Sequence, residues 1–325
     1  MKPIKLQTIV PIATYLNPLS YRDKIFGIGS CFAVHMSQKF TFYKFQQCVN
    51  PLGILFHPLA IEKLFKYAAT NVSFNKEDLV FQNEKWFCWH AHSDIHHHSE
   101  ADLLALVNTK LQQTRQELQM ASVCIITLGT AWVYKLKQRN QVVANCHKVS
   151  QHHFEKCLLG ISEVEQSLGH ICEYLQMLNP HLRVIFTISP VRHLKDGFVE
   201  NQRSKSHLIS ALHHFLAINQ NPNISYFPAY ELVMDELRDY RFYAPDLLHP
   251  STVAIDYIWA RFTEKYISTD GHATMQKVSD IQKRLQHRPF DRNTEMYKKF
   301  QQELYLKVDA LQKEWPHINF DLPEP

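Results

Sequence analysis

The sequence predicts an α/β protein built on a parallel β-sheet. Short, continuous apolar runs end at a glycine or at a serine–proline pair, and segments of helical periodicity separate them. Such runs are typical of strands buried on both faces of a parallel sheet, because helices cover both faces. Strands that alternate with helices indicate βαβ units. We therefore expect the loops after the strands to meet at one sheet edge, where α/β proteins bind ligands.

The individual elements follow in chain order. The predicted central strands cover 24–28, 122–128, 183–188 and 224–227. The predicted helices cover 32–40, 58–70, a segment from residue 99, 162–178, 205–218, 229–237 and 251–266. Pro58 suits the first turn of its helix, and Asn179-Pro180 ends another. Two hairpins at 80–89 and 133–144 are predicted as insertions, and 48–56 and 195–201 as loops.

The composition changes after Asp270-Gly271. Segments 275–288 and 293–313 are rich in Gln, Lys and Arg and place apolar residues at helical spacing. We predict two helices that pack on the outside of the domain or against a second copy, which would make a homodimer. The predicted division is a main domain, 1–270, and a C-terminal helical extension, 271–325.

Composition excludes several classes of function. The 325 residues carry a formal charge of +4 without a basic run, which argues against a nucleic-acid partner. Seven cysteines without C-x-x-C spacing suit reduced thiols and a cytoplasmic location. No apolar run approaches about 18 residues, so no membrane span is expected, and the N-terminal pattern does not predict a signal peptide.

The stretch with the clearest chemical meaning ends in Ser30. An apolar run reaches Gly27 and Gly29, meets the serine, and gives way to a helical pattern. This order places a hydroxyl at the sheet edge and at a helix N-terminus, where free N–H groups favour a developing oxyanion. Serine is also a preferred N-cap, so a structural role is the alternative. No glycine lies two places after Ser30, so this is not the G-x-S-x-G elbow.

The pentapeptide Gly29-Ser30-Cys31-Phe32-Ala33 resembles the signature of the GSCFA family, which looks related to the SGNH/GDSL hydrolases. Further blocks that look like that family's, in its order, cover most of 21–266: Asn50-Pro51-Leu52-Gly53-Ile54-Leu55, Thr127-Leu128-Gly129-Thr130, Asn145-Cys146-His147-Lys148, Ser189-Pro190-Val191-Arg192-His193 and Asp246-Leu247-Leu248-His249-Pro250-Ser251. The resemblance implies a flavodoxin-like three-layer αβα SGNH-hydrolase fold with a serine nucleophile that acts on an ester.

A serine nucleophile needs a base, and the base needs an orienting partner. Asp246-x-x-His249 offers both on one loop, although Asp94 and His97 have the same spacing and 20 histidines produce such pairs by chance. The first pair lies near the end of the globular part and precedes a helix. The resemblance implies Ser30 as nucleophile, His249 as general base and Asp246 as its orienting partner.

The predicted oxyanion hole departs from the family pattern in one block. The resemblance implies the Ser30 N–H as first donor and Gly53 as the glycine of the second block. The third block normally supplies an asparagine after a glycine, but Thr130 follows Gly129 here. The residues that could replace that donor are Thr130, Asn50 and Asn145. Losing one donor costs on the order of 3 kcal/mol in the transition state.

Two polar segments are candidates for substrate binding. Asn145 and His147 lie in one predicted loop, and Arg192 and His193 follow a predicted strand. Arg192 would suit a carboxylate or a phosphate. Hydrogen bonds that only anchor the loops are an equally good interpretation.

Two rival sites stay open. Cys31 could be the nucleophile if the helix N-terminus acidifies its thiol, although such a cysteine is more often core filler. The histidines at 90, 92 and 96–98 suggest a metal site, but they lack regular ligand spacing, which favours a solvated loop. We expect neither a metal nor another cofactor.

The sequence therefore predicts a serine esterase or O-acyltransferase that acts on an O-acyl ester. An acylated carbohydrate is a substrate by analogy with related folds. The alternatives are a non-catalytic ligand-binding protein on the same fold, favoured by the missing asparagine, and a metal hydrolase on the histidine loop. The acyl group and its acceptor, water or an alcohol, do not follow from the sequence.

Overall fold

The computed structural model describes residues 7–287, 291 and 294–322. The strands in this part of the chain are β1 (Lys24–Gly29), β2 (Gln46–Val49), β3 (Leu79–Gln82), β4 (Lys85–Cys88), β5 (His96–His97), β6 (Val123–Leu128), β7 (Trp132–Leu136), β8 (Gln141–Val143), β9 (Phe154–Leu158), β10 (Arg183–Ile188) and β11 (Ile224–Phe227). The helices are α1 (Cys31–Phe42), α2 (Pro58–Thr70), α3 (Glu100–Met120), α4 (Ile161–Leu178), α5 (Phe198–Ile218), the short α6 (Ala229–Glu231), α7 (Thr252–Tyr266), α8 (Thr269–Gln286) and α9 (Glu295–Glu314).

Five strands form a parallel sheet in the order β2-β1-β6-β10-β11. Counted by their appearance within this sheet, the order is 2-1-3-4-5, which is the flavodoxin-like doubly wound order. Gly29 pairs with Thr127, and Thr127 pairs with Thr187. The carboxyl ends of β1, β6 and β10 are therefore level, which confirms the expected common edge. In this order ligands bind where the strand sequence reverses, between β1 and β6.

Helices cover both faces of the sheet. Side chains alternate along β1, so Phe26 and Ile28 join the core beneath α2, α3, α4 and α5, whereas Ile25 joins the core beneath α1 and α7. All three side chains are buried. The architecture is the three-layer αβα arrangement that the family resemblance implies.

Two small antiparallel sheets are inserted into this frame, in the orders β3-β4-β5 and β8-β7-β9. Both predicted hairpins are confirmed. The first turns at Asn83 and Glu84, which both have the positive φ angles that a tight hairpin turn requires. The strands β5 and β9 extend each hairpin and were not expected.

The sequence pattern is wrong at two places, the edge strand β2 and the start of α5. It predicts a loop from residue 48, but β2 occupies Gln46–Val49 and pairs with β1. All four of its residues are only partly buried, so this edge strand lacks the apolar run of the inner strands. The pattern also predicts a loop at 195–201, but α5 already begins at Phe198, whose side chain is exposed. The predicted helix at 229–237 is α6 followed by a π-helical turn at Leu232–Glu236.

The C-terminal helices α8 and α9 pack on the same face of the sheet as α1. Val278 of α8 and Val308 of α9 belong to the buried cluster that contains Phe32 of α1. Two predicted helix boundaries, Arg288 and Asn293, lie outside the described residues. The predicted division at 270 falls in the first turn of α8. None of the described helices is both long and apolar enough to cross a membrane.

Candidate active site

Ser30 lies between the last residue of β1 and the first turn of α1. A Cβ on Gly29, whose φ is +142°, would lie 2.2 Å from the Thr127 carbonyl oxygen, so only glycine fits before the serine. Ser30 Oγ accepts a hydrogen bond from the Phe32 N–H at 3.3 Å and caps α1. The hydroxyl keeps its own proton in this bond, so capping and nucleophilic attack are compatible. Ser30 is only 1% exposed.

Asp246 and His249 form a hydrogen-bonded couple on the loop before α7. Asp246 Oδ1 accepts the N–H groups of Leu248 at 2.9 Å and His249 at 3.0 Å, and Oδ2 lies 2.6 Å from His249 Nδ1. Those bonds to the carboxylate lower the pKa of Asp246 to about 2. The carboxylate favours the tautomer with the proton on Nδ1, which leaves the lone pair of Nε2 for a substrate or a nucleophile.

The pair with the same spacing in the inserted sheet does not form. Asp94 lies 3.0 Å from His92, and His97 lies 3.5 Å from Asp102 instead. Of the two Asp-x-x-His patterns in the sequence, only Asp246 and His249 therefore make an imidazole–carboxylate contact.

The couple lies beside α1, the helix that begins after Ser30. The charge of His249 adds to burial in lowering the pKa of His35, on the second turn of α1. Burial raises the pKa of Cys31, and the charge of Asp246 raises it further. In the described residues Ser30 Oγ makes no hydrogen bond to His249. Catalytic hydrogen bonds are often longer without substrate and tighten when it binds.

The predicted oxyanion donors Ser30, Gly53 and Thr130 already have partners within the protein, and Asn145 is held in another loop. The Ser30 N–H donates to the Thr127 carbonyl at 3.2 Å, and the Gly53 N–H donates to the Asn50 carbonyl at 2.8 Å. The Thr130 hydroxyl lies 2.8 Å from Ser204 Oγ and accepts the Trp132 N–H. Asn145 Oδ1 accepts the N–H of His147 in its own loop.

Asn50 is the exception among these candidates. Its Oδ1 accepts the Gly29 N–H at 2.9 Å, so the amide is fixed to the residue before Ser30. Its Nδ2 is buried and has no hydrogen-bond partner in the described part of the chain. An unpartnered buried donor costs about 1–3 kcal/mol, and such groups are often kept for a functional reason.

The predicted substrate-binding residues separate into two places. His147 stacks on Phe87 and lies 2.7 Å from the Cys88 carbonyl, so it anchors the inserted sheets, and Asn145 stays with it. Burial lowers the pKa of His147 to about 4. These contacts match the loop-anchoring interpretation.

Arg192 and His193 lie at the edge of the main sheet. The Arg192 N–H donates to the Leu248 carbonyl at 3.3 Å, and its guanidinium lies 4.2 Å from the centroid of the Tyr243 ring. Arg192 thus braces the loop that carries His249. Burial lowers the pKa of His193 to about 4, the charges of Lys205 and His249 lower it further, and its Nε2 has no hydrogen-bond partner among the described residues.

Neither rival site gains support from the contacts. Burial raises the pKa of the Cys31 thiol and outweighs the N–H bonds at the start of α1. The clustered histidines bond to separate partners: His90 lies 3.2 Å from Asp78, and His96 lies 3.0 Å from Lys85. Nowhere in the described residues do three or more His, Cys, Asp or Glu side chains converge as metal ligands.

The site also contains a residue that the sequence analysis missed. Lys205, on α5, is 1% exposed and donates to the carbonyls of Gly129 and Ser189. A signal was present, because Lys205 and Leu208 lie three positions apart on the predicted helix 205–218 and so share one of its faces.

The fold and the site are those of an α/β protein with a serine after its first strand and an Asp–His couple on the loop before α7. The GSCFA family model matches residues 24–262, and the model of the C-terminal domain of GSCFA domain proteins matches residues 278–322. The chain belongs to the GSCFA family.

The chain is also similar to solved structures of esterases. An acetyl esterase mutant with acetate ion has 8% identity and a TM-score of 0.35, over 80% of this chain and 99% of that one. A carbohydrate esterase family 3 from Talaromyces cellulolyticus has 7% identity and a TM-score of 0.34, over 79% and 99%. An acetyl xylan esterase from the rumen bacterium Butyrivibrio proteoclasticus has 9% identity and a TM-score of 0.33, over 68% and 57%. Similarity this low says nothing about the activity of this chain. No curated protein matches.

Proposed function

We propose that this protein is a serine-dependent hydrolase of O-acyl esters with Ser30 as nucleophile. The observation that carries the proposal is the contact of 2.6 Å between His249 Nδ1 and Asp246 Oδ2. This contact supports His249 as a base whose Nε2 lone pair is free. Arg192 ties the loop that carries His249 to the carboxyl edge of the sheet, where Ser30 lies.

The proposed reaction moves one proton at each step. Ser30 Oγ attacks the ester carbonyl carbon, and its proton passes to His249 Nε2. His249 then protonates the leaving alcohol oxygen, and an acyl-serine remains. Water attacks the acyl carbon, gives its proton to His249, and the carboxylic acid leaves as Ser30 regains the proton. If an alcohol attacks the acyl-serine in place of water, a new ester forms, and the protein acts as an acyltransferase. Asp246 stays ionised and stabilises the imidazolium.

Access to Ser30 requires movement, because the hydroxyl is almost completely buried. We propose that the ester displaces the His249 loop together with the chain after β10. Leu248 and Arg192 join these two segments. Partial exposure of Asp246 and His249 supports this movement.

A cavity of about 650 Å³ next to His249 is the proposed position of the alcohol portion of the ester. Its volume lies within the range of about 300–1,000 Å³ that is typical of small-molecule sites. Its walls mix polar and aromatic side chains, among them His35 and Gln38 of α1 and Tyr243. Ser251 and Thr252 also line this cavity. Their hydroxyl groups and the ring of Tyr243 suit an alcohol rich in hydroxyl groups, and an acylated carbohydrate is the substrate that we propose.

We propose Asn50 Nδ2 as the oxyanion donor that replaces the missing asparagine. Asn50→Ala is expected to lower kcat by about 10²–10³-fold, because one donor to the oxyanion is lost. Steady-state kinetics on a short acyl ester would measure this. Asn145→Ala is the matched control, since it removes another loop asparagine away from Ser30, and it should leave kcat within about twofold. An unchanged kcat in Asn50→Ala would remove Asn50 from the oxyanion hole.

A fluorophosphonate probe is expected to label Ser30 covalently. The adduct should disappear in Ser30→Ala and in His249→Ala, since the hydroxyl or its base is gone. It should persist in Ser99→Ala, which removes another N-cap hydroxyl with the same 3.3 Å bond to its helix. Intact-mass and peptide mass spectrometry would locate the adduct. Labelling that persists in Ser30→Ala and vanishes in Cys31→Ala would transfer the nucleophile to the thiol.

The second candidate is a non-catalytic binding protein on the same fold. The observation that favours it is the missing hydrogen bond between Ser30 Oγ and His249 in the described structure. It predicts no turnover of acetyl, butyryl and longer esters, and a ligand that raises Tm. Turnover that Ser30→Ala abolishes would exclude it.

The remaining expectations concern location and assembly. All seven cysteines are free thiols, which supports the proposed cytoplasmic location. Met296 and Leu306 of α9 are exposed, which supports the proposed homodimer through the C-terminal helices.

A further inference from the structure

A buried lysine without a carboxylate partner lies beneath the edge of the sheet. Lys205 is 1% exposed, and no ion pair neutralises it within the described residues. Its Nζ donates to the carbonyls of Gly129 and Ser189, both at 2.7 Å, and lies 5.9 Å from the centroid of the Tyr230 ring. An uncompensated buried ammonium is costly, so this position demands an explanation.

The two carbonyls belong to neighbouring strand ends. Gly129 follows β6 and Ser189 follows β10, so the ammonium ties one strand end to the next. The preceding residue of α5 strengthens this tie, because Ser204 Oγ accepts the Ala131 N–H at 2.7 Å. The strand β6 is in turn joined to the nucleophile, since the Ser30 N–H donates to the carbonyl of Thr127 in β6.

The charge of Lys205 reaches both sides of the proposed site. Burial raises the pKa of Cys31, the residue after Ser30, and the charge of Lys205 partly offsets that rise; burial lowers the pKa of His193, on the loop after β10, and the charge of Lys205 lowers it further. Burial lowers the pKa of Lys205 itself to about 7. Perturbed, buried ionisable groups cluster at functional sites, because an apolar side chain would serve stability at less cost.

We propose that Lys205 is a positioning residue of the active site, which holds the strand ends of β6 and β10 together and sets a positive charge beside Ser30, where negative charge develops during ester cleavage. This inference rests on the proposed hydrolase function. Lys205 does not line the cavity beside His249, so it acts on the transition state and not on substrate binding.

The prediction is a selective loss of kcat. Lys205→Met, which removes the charge and both hydrogen bonds, should lower kcat about tenfold or more and leave KM within about twofold. Lys205→Arg keeps the charge and should retain most of kcat. Lys205→Gln keeps a donor without the charge and tests the charge alone, also if Lys205→Met does not fold. Lys195→Met, an exposed lysine on the loop after β10, is the control and should be neutral.

A second readout does not depend on turnover. The pKa of the His193 ring, followed by NMR, should rise in Lys205→Met and Lys205→Gln, because the cation that depresses it is gone. Two other titratable groups face Lys205, namely Cys31 from α1 and Tyr230 from α6. The kcat values of the variants are therefore compared at one fixed pH. The pH profile of kcat is then measured for each variant.

The outcomes separate the two proposals. A folded Lys205→Met with normal kcat and an unchanged pH profile overturns the inference and leaves the hydrolase function intact. A loss of Tm with normal kcat makes Lys205 structural only and also overturns it. A wild-type protein that turns over no ester refutes the hydrolase function, and the inference with it.

Discussion

Ser30→Ala is expected to lower kcat for ester hydrolysis by about 10⁴–10⁶-fold. The reason is that Ser30 is the hydroxyl that follows β1, and in the proposed reaction the Asp246–His249 couple takes its proton. The residual rate would come from the remaining binding contacts. A kinetic assay on an acetate ester at neutral pH would measure it.

The control for this variant separates chemistry from stability. Ser30 Oγ caps α1, so its removal costs about 1 kcal/mol of folding free energy in addition to the nucleophile. Ser99→Ala removes the corresponding cap of α3 and should lose a similar amount of stability with full activity. Turnover that survives in Ser30→Ala would reject the proposed nucleophile.

Asp246→Asn is the second large effect, with an expected loss of about 10⁴-fold in kcat. The carboxylate accepts His249 Nδ1–H, whereas an asparagine amide would favour the other tautomer and occupy the wrong nitrogen. The pKa of Asp246 is lowered to about 2, below its ordinary value of 3.8. Its contribution to stability is therefore present above about pH 4 and is lost as the pH falls toward 2. Asp246 is therefore still ionised at pH 5, so a fall in kcat near that pH would not come from this carboxyl.

A second loop aspartate provides the comparison. Asp239 Oδ1 accepts the Arg241 N–H at 2.8 Å, so Asp239→Asn alters a similar turn without touching a histidine. Its kcat should stay within about twofold of the wild-type value. Equal losses in both variants would mean that the loop, and not the tautomer of His249, controls activity.

The inner strands of the sheet could be predicted because burial on both faces leaves a continuous apolar run, as in Val123–Leu128. The edge strand β2 could not, since Gln46 and Gln47 are partly exposed and its pairing with β1 is a contact between distant residues. Edge strands often carry polar side chains because these prevent the exposed strand from pairing with another chain.

The candidate site was predictable only where its chemistry is local. Asp246 and His249 lie three residues apart, and their spacing together with the family resemblance suggests the couple that the loop forms. The hydrogen bond between the Thr130 and Ser204 hydroxyls, in contrast, joins residues 74 positions apart. No local pattern reveals that the Thr130 hydroxyl is already bonded, or that the Asn50 amide keeps a free donor.

The contact between Arg192 and the His249 loop has a consequence for exchange of ligand with solvent. A backbone hydrogen bond and a ring–guanidinium contact connect the loop to the chain after β10, so the two segments are expected to move together. In the proposed movement, entry and exit of small molecules would therefore share one barrier. Arg192 and Tyr243 would set that barrier without taking part in bond making, so substitutions there are expected to change the exchange of ligand and not the chemical step.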